Sequence, residues 1–186
     1  MLDCLSSEID GQFHMRRLLL LRHAKAASSP GQPDRNRALS VRGRAAAPLV
    51  GAFLKREELT PDLALVSTAT RTRETWMLVA PHLPRLPKVI FDDRLYLAET
   101  DAILDALRDV PASVLTVLVV GHNPGLHELA VELSANGDER WELEQKFPTA
   151  ALAVIGFDCE NWDRVAEVRG TLERFVSPAN LGAGAN

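Results

Sequence analysis

The sequence has few cysteines, no long apolar run and no excess of basic residues, and each shortage excludes a class of protein. Its two cysteines, Cys4 and Cys159, lie near opposite ends and form no CxxC pair. A disulfide framework or a cysteine-based zinc cluster is therefore excluded, and we expect a cytoplasmic location. No apolar run approaches the ~20 residues that span a bilayer, so we predict no membrane segment.

The charge balance is slightly acidic, with 21 basic and 25 acidic side chains and a formal net charge of -4. This argues against a nucleic-acid partner, because binding a phosphate backbone requires a net basic face. Any arginines that handle phosphate must therefore act locally, within a site. The first fourteen residues also lack the basic and apolar regions of a secretory signal.

The length of 186 residues is that of one domain. We place the functional domain at residues 15–176, between an N-terminal extension at 1–14 and a tail at 177–186, both expected to be flexible. The sequence leaves open whether translation starts at Met1 or at Met15.

Apolar runs that read as strands alternate with helical patterns along the chain. This alternation predicts an α/β fold, a three-layer α/β/α sandwich with a mostly parallel central sheet. The predicted strands are 18–21, 61–67, 88–93, 113–123, 150–158 and 163–175, the last two forming a hairpin with its turn near Asn161. The predicted helices are 40–58 with Ser40 as its N-cap, 68–83, 100–110 and 124–134.

Basic residues follow three of these strands at the point where each strand ends. Arg22 and His23 follow the first strand, Arg71 comes shortly after the second, and His122 and Asn123 end the strong strand near residue 120. Ligand sites of parallel sheets lie beyond the carboxyl ends of the strands, so we expect these side chains to meet in one site.

Two arginines and two histidines in one site are typical of phosphoryl chemistry. Arginine provides a charged planar fork that matches phosphate oxygens. A neutral imidazole can attack phosphorus, and a second imidazole, if protonated, adds a donor where charge develops. No acidic cluster suited to magnesium is evident. We therefore expect neither a metal nor another cofactor.

Each residue alone also has a structural explanation. Arg22 and His23 are consistent with a solvated strand end, Arg71 with a surface pair to Glu74, and His122 with turn chemistry. Their conjunction at one sheet edge favours a site, because independent surface residues have no reason to gather there. His82 and His127 are interpreted as structural.

At these residues the chain resembles the histidine phosphatase superfamily, which includes phosphoglycerate mutases. The Arg22–His23 pair is followed by Ala24 where the family usually has Gly, Ser67–Arg71 resembles its Ser-Pro-x-x-Arg motif with Thr68 for Pro, and Gly121–His122 matches its Gly-His motif. The segments RHAKA, DRNRALSVRG, GHNPGL and FPTAAL resemble the SixA-type phosphohistidine phosphatases, over Arg16 to about Phe157.

The resemblance implies a phosphoglycerate mutase-like fold without a large cap insertion, and roles for individual residues. His23 is the implied nucleophile, and Arg22, Arg71 and His122 complete the phosphate pocket. Arg37 and Asn123 are the implied substrate-binding residues; a loop arginine near Asp34 is the equal alternative for Arg37.

The proton donor departs from the family's pattern, because Leu97 stands where relatives of this branch often have Glu. Glu99, Asp93, Asp101 or no carboxylate at all are left as alternatives. A phosphohistidine leaving group needs less acid help than an alkoxide, so a missing donor favours an activated substrate. The lack of an inserted cap indicates an open pocket, which permits a protein-borne phosphate.

The leading hypothesis is a metal-independent phosphatase that works through phospho-His23 and hydrolyses phosphohistidine on a protein, for which a histidine phosphotransfer protein is the candidate partner. The alternative within the same chemistry is a small-molecule phosphomonoester phosphatase or a mutase. The alternative from another class is a non-catalytic phosphate-binding regulatory module.

Overall fold

The computed structural model describes residues 15–28 and 30–182, which form one sheet with helices on both faces. The seven strands are β1 (Met15–Arg22), β2 (Leu63–Ser67), β3 (Lys88–Asp92), β4 (Thr116–Gly121), β5 (Ser134–Asn136), β6 (Leu152–Asp158) and β7 (Gly170–Val176). The six α-helices of this part of the chain are α1 (Val41–Arg56), α2 (Thr70–Val79), α3 (Thr100–Arg108), α4 (Gly125–Leu133), α5 (Arg140–Gln145) and α6 (Pro178–Gly182).

The strands lie in the order β3-β2-β4-β1-β6-β7-β5. Neighbours β3, β2, β4 and β1 pair in parallel, and β5 pairs in parallel with β7. Strand β6 is antiparallel to both β1 and β7, so among the described strands β6 alone runs in the reverse direction. The predicted mostly parallel sheet within an α/β/α sandwich is confirmed.

The four leucines of β1 explain why this strand is apolar without alternation. Leu18 and Leu20 pack on the face covered by α3, α4 and α5. Leu19 and Leu21 pack on the opposite face, which α1 and α2 cover. All four side chains are fully buried, as expected for a central strand of a sheet covered on both sides. The strand therefore connects two separate apolar cores.

Helix α1 begins against the segment that follows β1. Ser40 is its N-cap, as predicted, and the Ser40 hydroxyl accepts a hydrogen bond from the Gly43 amide at 3.1 Å. The Ser40 amide also donates to the carbonyl of Lys25 at 2.8 Å. The bond to Lys25 attaches the start of α1 to the residues just after Arg22 and His23.

The connection between β6 and β7 differs from the predicted tight hairpin. The two strands do pair, but β7 begins at Gly170 instead of residue 163, and a 3-10 turn occupies Trp162–Arg164. The Trp162 side chain is 1% exposed and its indole N–H donates to the Val114 carbonyl at 2.7 Å. The connection therefore folds back onto the sheet end instead of turning at Asn161.

The structure also contains short elements that the sequence pattern does not predict. Strand β5 has three residues without apolar alternation, and α5 has only six. Residues Pro178–Gly182, which we assigned to a flexible tail, form α6 and pack against α1. The predicted extension at 1–14 and the last four residues lie outside the described residues. In the described ranges we find no helix with the length and apolarity needed to cross a membrane.

Candidate active site

The residues predicted at the strand ends come together at the carboxyl edge of β1, β2 and β4, where several of them line one cavity. This cavity measures about 200 Å³. Arg22, His23, Arg37 and Arg71 line it, and Lys25, Ala26 and Thr149 complete its wall. Its side chains are thus mainly cationic, which suits an anionic ligand.

His23 is held by its backbone and by one ring nitrogen. Its amide donates to the Gly121 carbonyl at 3.0 Å, which ties β1 to β4 at the site. Its Nδ1 lies 2.7 Å from the Ala24 carbonyl, an acceptor, so Nδ1 carries the proton and donates. Nε2 therefore holds the free lone pair, and it accepts from Arg71 Nε at 3.3 Å.

The environment of His23 favours the neutral ring. The pKa of His23 is lowered to about 4, chiefly by burial and also by the nearby charges of Arg71 and Arg22, while the hydrogen bond to Ala24 opposes the shift. At neutral pH the imidazole is therefore uncharged and nucleophilic.

Arg71 is the central donor of the site, and its side chain is almost fully buried. Besides its bond to His23, Nη1 donates to the Asp34 carbonyl at 2.8 Å. Nη2 donates to the Asp34 carboxylate at 3.0 Å and to His122 Nδ1 at 3.2 Å. The alternative of a surface pair with Glu74 is wrong, because Glu74 instead binds Arg44 and the Leu39 amide.

His122 lies beside His23, with ring centroids 5.2 Å apart. Because Arg71 only donates, His122 Nδ1 must accept, and Nε2 then carries the proton and faces Ser67 Oγ at 2.8 Å. Burial and the neighbouring His23 and Arg71 lower the pKa of His122 to about 3. The second imidazole is therefore neutral in the free protein, and donates through Nε2 without being protonated at both nitrogens.

Arg22 and Asn123 meet at the carbonyl of Phe147. Arg22 Nη1 donates to this oxygen at 2.7 Å and Asn123 Nδ2 at 3.0 Å. Arg22 Nε and Asn123 Oδ1 are buried and have no hydrogen-bond partner among the described residues. Arg22 lines the cavity, whereas neither Asn123 nor His122 is among the residues that line it.

Asp34 and Tyr96 are members of the site that the sequence prediction did not include. Asp34 accepts from Arg71, from Arg37 at 3.0 Å and from the Tyr96 hydroxyl at 2.9 Å. Although partial burial opposes it, these donors lower the pKa of Asp34 to about 2. The Tyr96 ring also packs edge-on against His122 at 5.6 Å. The position of Tyr96 shortly after a predicted strand end was the one signal available for it.

Arg37 pairs with Asp34 and also lines the cavity, so its predicted role in substrate binding stays a prediction. The three candidate proton donors do not line the cavity. Asp93 accepts from Thr68 at 2.6 Å and pairs with Arg35, and Glu99 and Asp101 are exposed at the start of α3. Among the described residues, Asp34 is the one carboxylate that is hydrogen-bonded to this arrangement of arginines and histidines.

Known proteins share this sequence pattern and architecture. The sequence pattern of the histidine phosphatase superfamily (branch 1) matches residues 18–102. The SixA structure from Nakamurella multipartitia superposes with a TM-score of 0.78 at 30% identity, over 88% of this chain and 96% of that one. The SixA structure from Agrobacterium tumefaciens gives 0.73 at 31% identity, over 88% and 98%. The chain belongs to the histidine phosphatase superfamily, in its SixA-like branch.

This membership also confirms the predicted phosphoglycerate mutase-like fold without a large insertion. The uncharacterized protein Rv1276c of Mycobacterium tuberculosis is 36% identical to this chain over 139 residues, which are 73% of this chain and 85% of Rv1276c. For this histidine phosphatase superfamily member, the comparisons support the prediction of a phosphatase.

Proposed function

We propose that the protein hydrolyses phosphoryl groups through a phosphohistidine intermediate on His23, and that its substrate is phosphohistidine carried by a protein. The observation that carries the proposal is the 2.7 Å contact between His23 Nδ1 and the Ala24 carbonyl, from which the tautomer of His23 follows. With Nδ1 donating to Ala24, the Nε2 lone pair lies 3.3 Å from Arg71 Nε in a cavity lined by arginines. An imidazole held in this way is an activated nucleophile.

The reaction follows from these groups. The Nε2 lone pair of His23 forms a bond to phosphorus while the bond from phosphorus to the leaving nitrogen breaks, and that imidazole leaves once its ring is protonated. Arg22, Arg37 and Arg71, which line the cavity, neutralise charge on the equatorial oxygens. Water then attacks phosphorus, the bond to Nε2 breaks, and inorganic phosphate and neutral His23 are released.

The absence of the three candidate carboxylates from the cavity wall supports a nitrogen leaving group. An alkoxide needs a strong acid to protonate it as it leaves, whereas an imidazole leaves after protonation of its own ring. Asp34 does not supply this acid, because its lowered pKa keeps it ionised at neutral pH. We therefore expect a higher kcat/KM for phosphohistidine than for an alkyl phosphate.

The proposal is tested by trapping the intermediate. Protein incubated with a ³²P-phosphohistidine peptide and quenched rapidly is expected to carry an acid-labile, alkali-stable label on His23. His23→Ala is expected to lose both label and turnover, and His82→Ala, at an exposed histidine, serves as the matched control. Label on another residue, or turnover retained in His23→Ala, would overturn the proposal. A loss of turnover on addition of EDTA would refute metal independence.

A further inference from the structure

A second basic cavity adjoins the phosphoryl cavity described above. It measures about 190 Å³ and shares Lys25 and Thr149 with that cavity. Its own cationic side chains are Arg42 in the first turn of α1 and Lys146 at the end of α5. Ala46, Pro148 and Ser177–Ala179 complete the wall. We call this the Arg42–Lys146 pocket.

The charges of this pocket are not compensated within the described structure. No carboxylate is among the residues that line it, and in the described ranges neither Arg42, Lys146 nor Lys25 makes an ion pair with an acidic side chain. Most other arginines of the described chain form ion pairs with acidic side chains, including Arg44, two residues after Arg42, which pairs with Glu74. Unpaired cations that converge on one concavity attract anions, although the whole chain carries a net charge of -4.

The pocket is also fixed to the catalytic residues by the backbone. The Ala150 amide, next to Thr149, donates to the carbonyls of Arg22 and His23 at 3.1 and 3.2 Å. The start of α1, which carries Arg42, is held by its N-cap Ser40, whose amide and hydroxyl both donate to the Lys25 carbonyl. A ligand group in the Arg42–Lys146 pocket therefore has a defined position relative to a phosphoryl group on His23.

We propose that the Arg42–Lys146 pocket is a second anion subsite, which selects substrates that carry a carboxylate or a second phosphate beside the phosphoryl group to be removed. This inference rests on the proposed function, because it takes the neighbouring cavity as the phosphoryl site. On a phosphoprotein the second group is an acidic residue close to the phosphohistidine. On a small molecule it is the second phosphate of a bisphosphate.

The test compares matched substrates. One pair is two phosphohistidine peptides that differ only in flanking Glu or Gln residues, and the other is fructose 1,6-bisphosphate and fructose 6-phosphate. The double variant Arg42→Gln, Lys146→Gln removes two charges. Lys55→Gln is the control, because it removes a charge from the other end of α1, about 20 Å away from Arg42 along the helix.

The wild-type protein is expected to have about a threefold to tenfold higher kcat/KM for the doubly anionic member of at least one pair, since each exposed charge pair contributes a small factor. The double variant is expected to lose this preference and keep its kcat/KM for para-nitrophenyl phosphate within twofold. A preference for the Glu peptide alone assigns the subsite to a carboxylate, and one for the bisphosphate alone assigns it to a phosphate. No preference in either pair, or a preference that Lys55→Gln also removes, would overturn the subsite.

Binding separates this inference from the proposed function. Fluorescence anisotropy with labelled Glu and Gln phosphohistidine peptides on His23→Ala protein measures the subsite without turnover. A Glu preference that weakens with added salt and vanishes in the double variant supports the subsite even if the wild-type protein hydrolyses nothing. Turnover of para-nitrophenyl phosphate with equal binding of the two peptides refutes the subsite and leaves the proposed function intact.

Discussion

Arg71 is the residue whose removal tests the site most sharply. Its guanidinium contacts His23 Nε2 at 3.3 Å and His122 Nδ1 at 3.2 Å, and its other contacts hold Asp34. A phosphoryl group bound in the cavity would accept hydrogen bonds from some of these Arg71 N–H groups. The change Arg71→Ala therefore removes charge stabilisation at the reacting atoms and releases both imidazoles.

The expected loss follows from the number of donors. Removing one preorganised donor to a developing oxyanion lowers kcat by roughly 10²–10³, which corresponds to about 2.7–4 kcal/mol. Arg71 offers more than one N–H and a full charge, so we expect kcat/KM to fall at least this far. Arg71→Lys keeps the charge but not the planar fork, so we expect it to recover no more than about tenfold.

Steady-state kinetics with para-nitrophenyl phosphate measure the effect. Arg73→Ala is the matched control, because Arg73 lies on the same helix, is exposed and stacks on Phe91 at 4.9 Å. We expect its kcat/KM within twofold of the wild-type value, and thermal unfolding verifies that each variant is folded. More than a tenth of wild-type kcat/KM in folded Arg71→Ala, or full activity in Arg71→Lys, would refute the reasoning.

Three further predictions concern pH and packing. In the folded protein the pKa values of His23 and His122, about 4 and about 3, lie below the ordinary 6.5. The two neutral rings therefore contribute fully to stability above pH 6.5, and this contribution is lost as the pH falls towards 3. Urea unfolding at each pH measures the free energy of unfolding, and His23→Gln is expected to make that free energy depend less on pH. An NMR titration of His23 near pH 6.5 would contradict this. Gly43→Ala places a Cβ 2.2 Å from the Lys25 carbonyl oxygen. We therefore expect a loss of about 1–3 kcal/mol in unfolding free energy, although alanine has the higher helix propensity. An unchanged urea midpoint would contradict this expectation. Leu19→Ala empties part of a fully buried site, and we expect a loss of about 2–5 kcal/mol by the same assay, whereas a loss below 1 kcal/mol would contradict the packing described.

The central sheet and the main site residues could be predicted from the sequence because both depend on one local signal. An apolar run followed by polar residues marks the carboxyl end of a buried strand, and three such ends bring Arg22, His23, Arg71 and His122 to one edge. Their order along the chain is irrelevant once the strands are parallel neighbours.

The remainder of the site depends on the paths of loops, which carry no periodic pattern. Asp34 reaches Arg71 from a 3-10 turn at residues 34–36, and Tyr96 reaches Asp34 from the end of another such turn at 93–95. The tautomers of the two histidines depend on contacts with Ala24 and Arg71, which a sequence does not specify. The start of β7 was misplaced because the burial of Trp162 is a tertiary effect.

The leucines at positions 18–21 have a consequence for how this protein can change. Each of these four side chains packs in one of two cores, so this part of the strand has no solvent face on which neutral substitutions can accumulate. Mutational drift there is restricted to residues of similar volume, since cores tolerate little else. Several positions around the cavities carry no such restriction, because the side chains of Lys25, Arg42, Lys146 and Thr149 reach solvent. A directed-evolution library for a new substrate should therefore vary these positions and leave the four leucines unchanged.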